Sequence, residues 1–150
     1  MPDAPAPIRQ QLITDAVFTQ LDTLTGVAVY RSEVPASPPL ADGGGGRVGP
    51  YVVLWPFGGT PTRDQDLGDQ TADVDYGMQV DCVAGFEADL EFLVDRVHAL
   101  LYRWSPTIMG LAFGGLRPPV GYVPGAVQKN DAVNPPRFWL PLQFRTSVSR

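Results

Sequence analysis

Histidine, lysine and cysteine each occur once in these 150 residues, as His98, Lys129 and Cys82. A single cysteine excludes an internal disulfide and any cysteine-based zinc cluster within one chain, so a reducing setting is expected. A single histidine leaves one position for any Ser-His-Asp or Cys-His arrangement. Lysine and arginine together number 11 against 16 acids, a formal charge of −5, which argues against nonspecific nucleic-acid binding. Such acidity suits a protein that lies near DNA without adhering to it, and equally one that never meets DNA. No stretch approaches eighteen uncharged apolar residues, so no membrane span is expected. The opening MPDAPAPIRQ has no basic leader followed by an apolar run, so no secretory signal is expected there.

What is abundant is glycine and proline, 16 of each, about a fifth of the chain. The hydrophobic fraction of 44% and charged fraction of 18% are ordinary for a globular chain, and the length suits one domain with its own core. The expectation is therefore a single domain over 1–150 with long loops at 35–50 and 58–73 and a flexible segment at 1–7.

Along the chain, Ile8 to Leu24 reads as a helix. Ile8, Leu12, Ala16 and Leu21 recur at helical steps, and Ile13, Val17 and Leu24 thicken the stripe. Pro7 suits the first turn and Gly26 the C-terminal cap. VAVYRSEV (27–34) and YVVLWPF (51–57) read as strands, separated by PASPPLADGGGGRVGP, which no regular element accommodates. A third strand places Tyr76, Met78, Val80, Cys82 and Ala84 on one face, against Gly77, Gln79 and Asp81 on the other. The acidic run RDQDLGDQTADVD then becomes the tip of a long hairpin between the second and third strands.

GFEADLEFLVDRVHALLYRW is the clearest helix, with Phe86, Leu90, Leu93, Val97, Leu100 and Trp104 on one side. Its acids lie early and its bases late, matching the helix dipole. A Gly/Pro-rich segment follows, where IMGLAF and PVGYV suit brief strands. Last comes RFWLPLQFRTSV, with Phe138, Leu140, Leu142, Phe144 and Val148 inward and Trp139, Pro141, Gln143, Arg145 and Ser147 outward. Pro141 argues for an edge or a bulge. The order is α-β-β-β-α-(β)-β. It implies an α+β fold, a mostly antiparallel sheet with two helices packed on one face. The uncovered face is expected to be polar, showing Gln79, Asp81, Gln143, Arg145 and Ser147.

The chemistry-bearing candidates are few. Counted as a calcium loop from Asp64, the acidic run puts Gly68 at position five instead of six and ends on Asp75 instead of Glu, so it fails the EF-hand pattern. The glycine runs lack the lysine and following helix of a phosphate cradle. Nothing positive points to an enzyme or to a cofactor, and for the acidic run a solvated or interface loop is expected, with a weak, partner-dependent calcium or magnesium site as the alternative. Three readings remain open: an assembly protein, a ligand-binding module using Trp55, Phe57, Trp139 and Tyr122, and a hydrolase using the aspartates with His98.

The succession of VAVYRSEVP, YVVLWPFGG, VDYGMQVDCVAGFEADLEFLVDRVHALL, PVGYVPG and PRFWLPLQFRTSV resembles the tail terminator proteins of long-tailed bacteriophages, over roughly Ile8 to Val148. The resemblance implies a small α/β protein, without active site or cofactor, that forms a six-membered ring on the tail tube. The ring stops tube polymerisation and offers a surface to the head-completion or neck protein. DNA passes through its lumen without specific binding, and the protein resides in the virion after assembly in the host cytoplasm. On that basis Asp64, Asp66, Asp69, Asp73, Trp139 and Arg145 are candidates for contacts between subunits or rings. The loop at 35–50 is a candidate arm that orders on assembly. A neck or head-tail connector protein is the alternative within the same class.

Overall fold

The computed structural model describes residues 8–41, 46–61 and 74–149 of the chain. The elements run α1 (Gln10–Leu21), β1 (Ala28–Arg31), β2 (Tyr51–Pro61), β3 (Val74–Ala84), α2 (Glu87–Leu101), β4 (Ala112–Phe113), β5 (Gln128–Asn130) and β6 (Arg137–Ser149). The strands lie in the order β1-β2-β3-β6-β4, and β5 also pairs with β6. Only β1 and β2 run parallel; the other pairings are antiparallel. The fold is α+β, with both helices on one face of a mixed sheet.

Period-2 alternation in β3 determines which face that is. Tyr76, Met78, Val80, Cys82 and Ala84 are fully buried and meet Leu140, Leu142, Phe144 and Val148 of β6 and Val52 and Leu54 of β2. Onto this layer α2 lowers Leu90, Leu93, Val97 and Leu101, the i, i+3, i+7, i+11 stripe of an amphipathic helix. The α1 helix adds Ile13, Val17 and Leu21. A buried polar bond joins the layers: the Thr14 hydroxyl, which donates to the Gln10 carbonyl at 3.3 Å within α1, is also bonded to the buried Tyr76 phenol.

Several expectations need correction. Leu12 is 40% exposed, because the buried stripe of α1 runs through 13, 14, 17 and 21. Phe86 is also exposed; it precedes the first turn in extended conformation, and Arg47 stacks on its ring at 4.0 Å. The hairpin strands are longer than expected, pairing from Tyr51↔Val83 to Pro61↔Val74, with a bulge between Pro56 and Gly58 that turns out Phe57. IMGLAF does contain β4, but PVGYV forms a turn, and β5 lies beyond it.

Pro141 is not in a bulge, since the β3–β6 register runs through it unbroken, but it does hold an edge position: β5 pairs with β6 only at 137–139 and β4 only at 148–149. It is tolerated because its missing N–H falls on the side away from β3. Its carbonyl on that side accepts a hydrogen bond from the Tyr122 hydroxyl at 2.7 Å, and β5 ends before reaching it.

The loop between β1 and β2 is not a free arm where it is described. Leu40 and Val48 form a bridge, Gly49 N–H donates to the Pro39 carbonyl at 2.7 Å, and Val48 is buried. Gly85, at the tight passage from β3 into α2, donates its N–H to the Val48 carbonyl at 3.0 Å. A Cβ on Gly85 would lie 2.7 Å from that carbonyl oxygen and 2.9 Å from the Val48 nitrogen, both backbone atoms. Gly85→Ala should therefore lower stability by about 1–3 kcal/mol. An unchanged urea midpoint would show that the loop yields freely. Leu93→Asp, which places a carboxylate in the core, should leave no soluble folded chain by circular dichroism.

Burial pushes the Cys82 thiol above its ordinary 9.0, with Asp81 adding to the effect. Burial likewise raises the Tyr76 phenol above 10.0. Both groups hold protons in the folded chain that the unfolded chain releases. Their contribution to stability is present below pH about 9 and is lost as pH rises through the folded values. The urea midpoint should fall first from pH about 9, where only the thiol titrates in the unfolded chain, and Cys82→Ala should delay that onset toward pH about 10.

Candidate functional site

The same alternation that fills the helix-covered face decides what the other face carries, and the register places those side chains in rows across the sheet. At one end Ala28, Tyr51, Val83 and Trp139 stand side by side on four strands. The next row is Tyr30, Val53, Asp81 and Pro141. Then come Trp55, Gln79 and Gln143, and beyond them Gly77 with Arg145, and Asp75 with Ser147.

The expected polar face is thus only half of what is there. Tyr51, Val53 and Val83 are buried together with Val48, and Tyr30, Trp55 and Trp139 pack against them. Tyr30 meets Tyr51 edge to face at 5.7 Å. A cavity of about 270 Å³ opens here, walled by Tyr51, Val53, Val83 and Trp139. Arg137 borders it, and its Nη1 donates to the Tyr51 hydroxyl at 3.3 Å.

Asp81 sits where the apolar half meets the polar half. Its two oxygens accept hydrogen bonds from Trp55 Nε1 at 2.9 Å and from Gln79 Nε2 at 2.8 Å. Both donors stand in the adjacent row, Gln79 two residues along β3 and Trp55 diagonally across on β2, so register and pleat create the pair of bonds. The Tyr122 phenol, held on the Pro141 carbonyl, has its pKa raised by burial and then by the Asp81 charge. Trp55, Trp139 and Tyr122, three of the four proposed pocket aromatics, therefore gather around Asp81. Phe57 stands apart in the bulge, with its ring against Gly77.

At the polar end, Arg145 faces Asp75 at 3.5 Å, an exposed pair of little energetic weight. Its backbone pairs with Arg117 through bonds of 2.9 and 2.7 Å. An open cleft of about 530 Å³ lies beside these two arginines.

Of the residues singled out from the sequence, Trp139 and Arg145 lie on one face of one strand, six residues or about 20 Å apart. They belong to opposite ends of the face and not to one site. Asp64, Asp66, Asp69 and Asp73 lie outside the described residues. Among the described residues no group of three His, Cys, Asp or Glu is arranged to hold a metal ion. His98 is exposed on α2, stacked on Tyr102 at 5.2 Å, on the other side of the sheet from Asp81. Cys82 points to the buried helix side, where its raised pKa keeps it a thiol.

Arg137 and Tyr51 were missed by sequence reasoning. The alternation of β6 already placed Arg137 outward, but only register reveals that Tyr51 lies within its reach. No protein-family model matches the chain, and no curated protein matches it significantly.

The Trp55–Asp81 bond predicts a measurable coupling. Trp55→Phe should cost about 1–2 kcal/mol, and a double-mutant cycle with Asp81→Asn should return a coupling of about 1 kcal/mol by urea unfolding. Strict additivity would mean that the bond contributes nothing.

Proposed function

We propose that the chain is a structural protein of the phage tail-terminator type. In this reading it forms a ring, of six copies, on the head-proximal end of a tail tube. It stops tube growth and presents a joining surface to the head-completion protein. Its role is assembly, not catalysis, and DNA traverses the lumen without being bound in a sequence-specific way.

The supporting observation is the open sheet face together with the loop that borders it. Among the described residues no helix covers the Tyr30–Trp55–Trp139 end of the sheet, where loop residues such as Val48 bury the centre and leave the three aromatic rings half-exposed. The adjoining loop carries Val120 fully exposed and Val123 79% exposed. The half-exposed aromatic rim of Tyr30, Trp55 and Trp139 and a projecting apolar loop are different surfaces of one molecule. Contacts between unlike surfaces are heterologous, and they close into rings when the rotation between copies permits. The order of elements agrees with the resemblance noted from the sequence. In this reading Trp139 and Arg145 serve subunit contact at two ends of the face, and the aspartates from 64 to 73 serve contact with a neighbouring ring or protein.

The test is the native mass. A species near 97 kDa, six times 16.2 kDa, is expected by light scattering, with Trp139→Ala lowering association by about tenfold or more. The fold of that variant should persist by circular dichroism. A chain that stays monomeric at every concentration, and with purified tail tubes does not cap them, would overturn the assignment.

A further inference from the structure

The cavity at the apolar end of the open face contains one group that the fold leaves unused. Arg137 borders that space, yet it forms no ion pair among the described residues. Its Nη1 donates to a neutral phenol, its Nη2 to the Pro135 carbonyl at 3.3 Å, and its Nε is buried with no partner. The rigid, always charged guanidinium is shaped to meet a carboxylate through two parallel bonds, and Arg137 has no such partner among the described residues. Here the surrounding walls are apolar: Tyr51, Val53, Val83 and Trp139, with Val133 contributed by the loop before β6.

Asp81 also borders the cavity, but its two oxygens are already engaged by Trp55 and Gln79. It therefore gives the space a polarity: an acceptor at one side and an unsatisfied cation at the other. Asn130 is similarly committed, since its side-chain oxygen accepts the Ala132 N–H at 3.1 Å. A volume of about 270 Å³ lies just below the usual range for ligand pockets, which suits a small molecule.

We propose that this cavity is a binding site for a small carboxylate carried on an apolar, preferably aromatic, body. The carboxylate engages the charged Arg137 guanidinium at the cavity wall, and the body stacks against Trp139 and fills the space over Val53 and Val83. Every residue it uses belongs to one chain, and of these only Trp139 is shared with the proposed subunit contact, so Arg137 variants separate the two assignments.

The experiment titrates the intact chain with 4-phenylbutyrate and, separately, with the uncharged isostere 4-phenylbutanol, following tryptophan emission and heat. Trp139→Phe serves as the optical control. Saturable binding of the acid is expected with a Kd below about 1 mM, and the alcohol should bind about tenfold more weakly or worse. Arg137→Met should abolish the preference while the circular dichroism spectrum is retained. If Arg137→Met does not fold, Arg137→Lys decides the point, since it keeps the charge but loses the planar pair of donors and should weaken the acid about tenfold.

Equal affinity for acid and alcohol would overturn the proposal, as would unchanged acid binding by either variant. Absence of saturation up to about 10 mM would do the same. An affinity that falls as protein concentration rises would assign the cavity to a carboxylate of a second copy of the chain, and would overturn the small-molecule reading.

Discussion

Strand β3 is the constraint on which the rest of the molecule depends. Each of its residues pairs with β6, and nearly all pair with β2 as well, so its backbone is held on both sides along its full length. A strand in that position cannot slip by one residue without turning Tyr76, Met78, Val80 and Cys82 out of the core and Gln79 and Asp81 into it. The helices then have one place to go. The α2 helix follows β3 after the tight turn at Gly85 and falls back on the face that β3 has made apolar, and α1 completes the layer.

The same constraint creates the open face as a by-product. Because β3 presents Asp81 and Val83 at neighbouring outward positions, its register against β2 and β6 decides which residues meet there. Tyr51 and Trp139 flank Val83, while Trp55 and Gln79 converge on Asp81. A gradient results, from an aromatic end through a hydrogen-bonded carboxylate to an exposed end with Arg145 and Asp75. Neither the ring contact nor the ligand cavity requires an element beyond this arrangement. Both are uses of a face that the helices do not cover.

Irregularities mark where the sheet accommodates its surroundings. Pro141 interrupts donors only on the side of β6 that β5 and β4 leave uncovered between them, and the Tyr122 hydroxyl uses the carbonyl there. The bulge after Pro56 turns Phe57 against Gly77, the one position in β3 whose missing side chain leaves room for a ring. These are local adjustments that preserve pairing on the β3 side.

The sequence by itself determined the class of the fold, the two helices, the long hairpin and the inward faces of β3 and β6, because hydrophobic periodicity is a local property that burial enforces. It also showed that Trp139 and Arg145 share the outward face of the last strand. It could not show that Phe86 and Leu12 stay exposed, since a helix's apolar stripe is wider than the surface that packs on it. Nor could it reveal the Trp55–Asp81–Gln79 cluster or the meeting of Arg137 with Tyr51. Those depend on which residue of one strand stands opposite which residue of another, and register between segments as distant as 51 and 137 is decided only when the whole sheet packs.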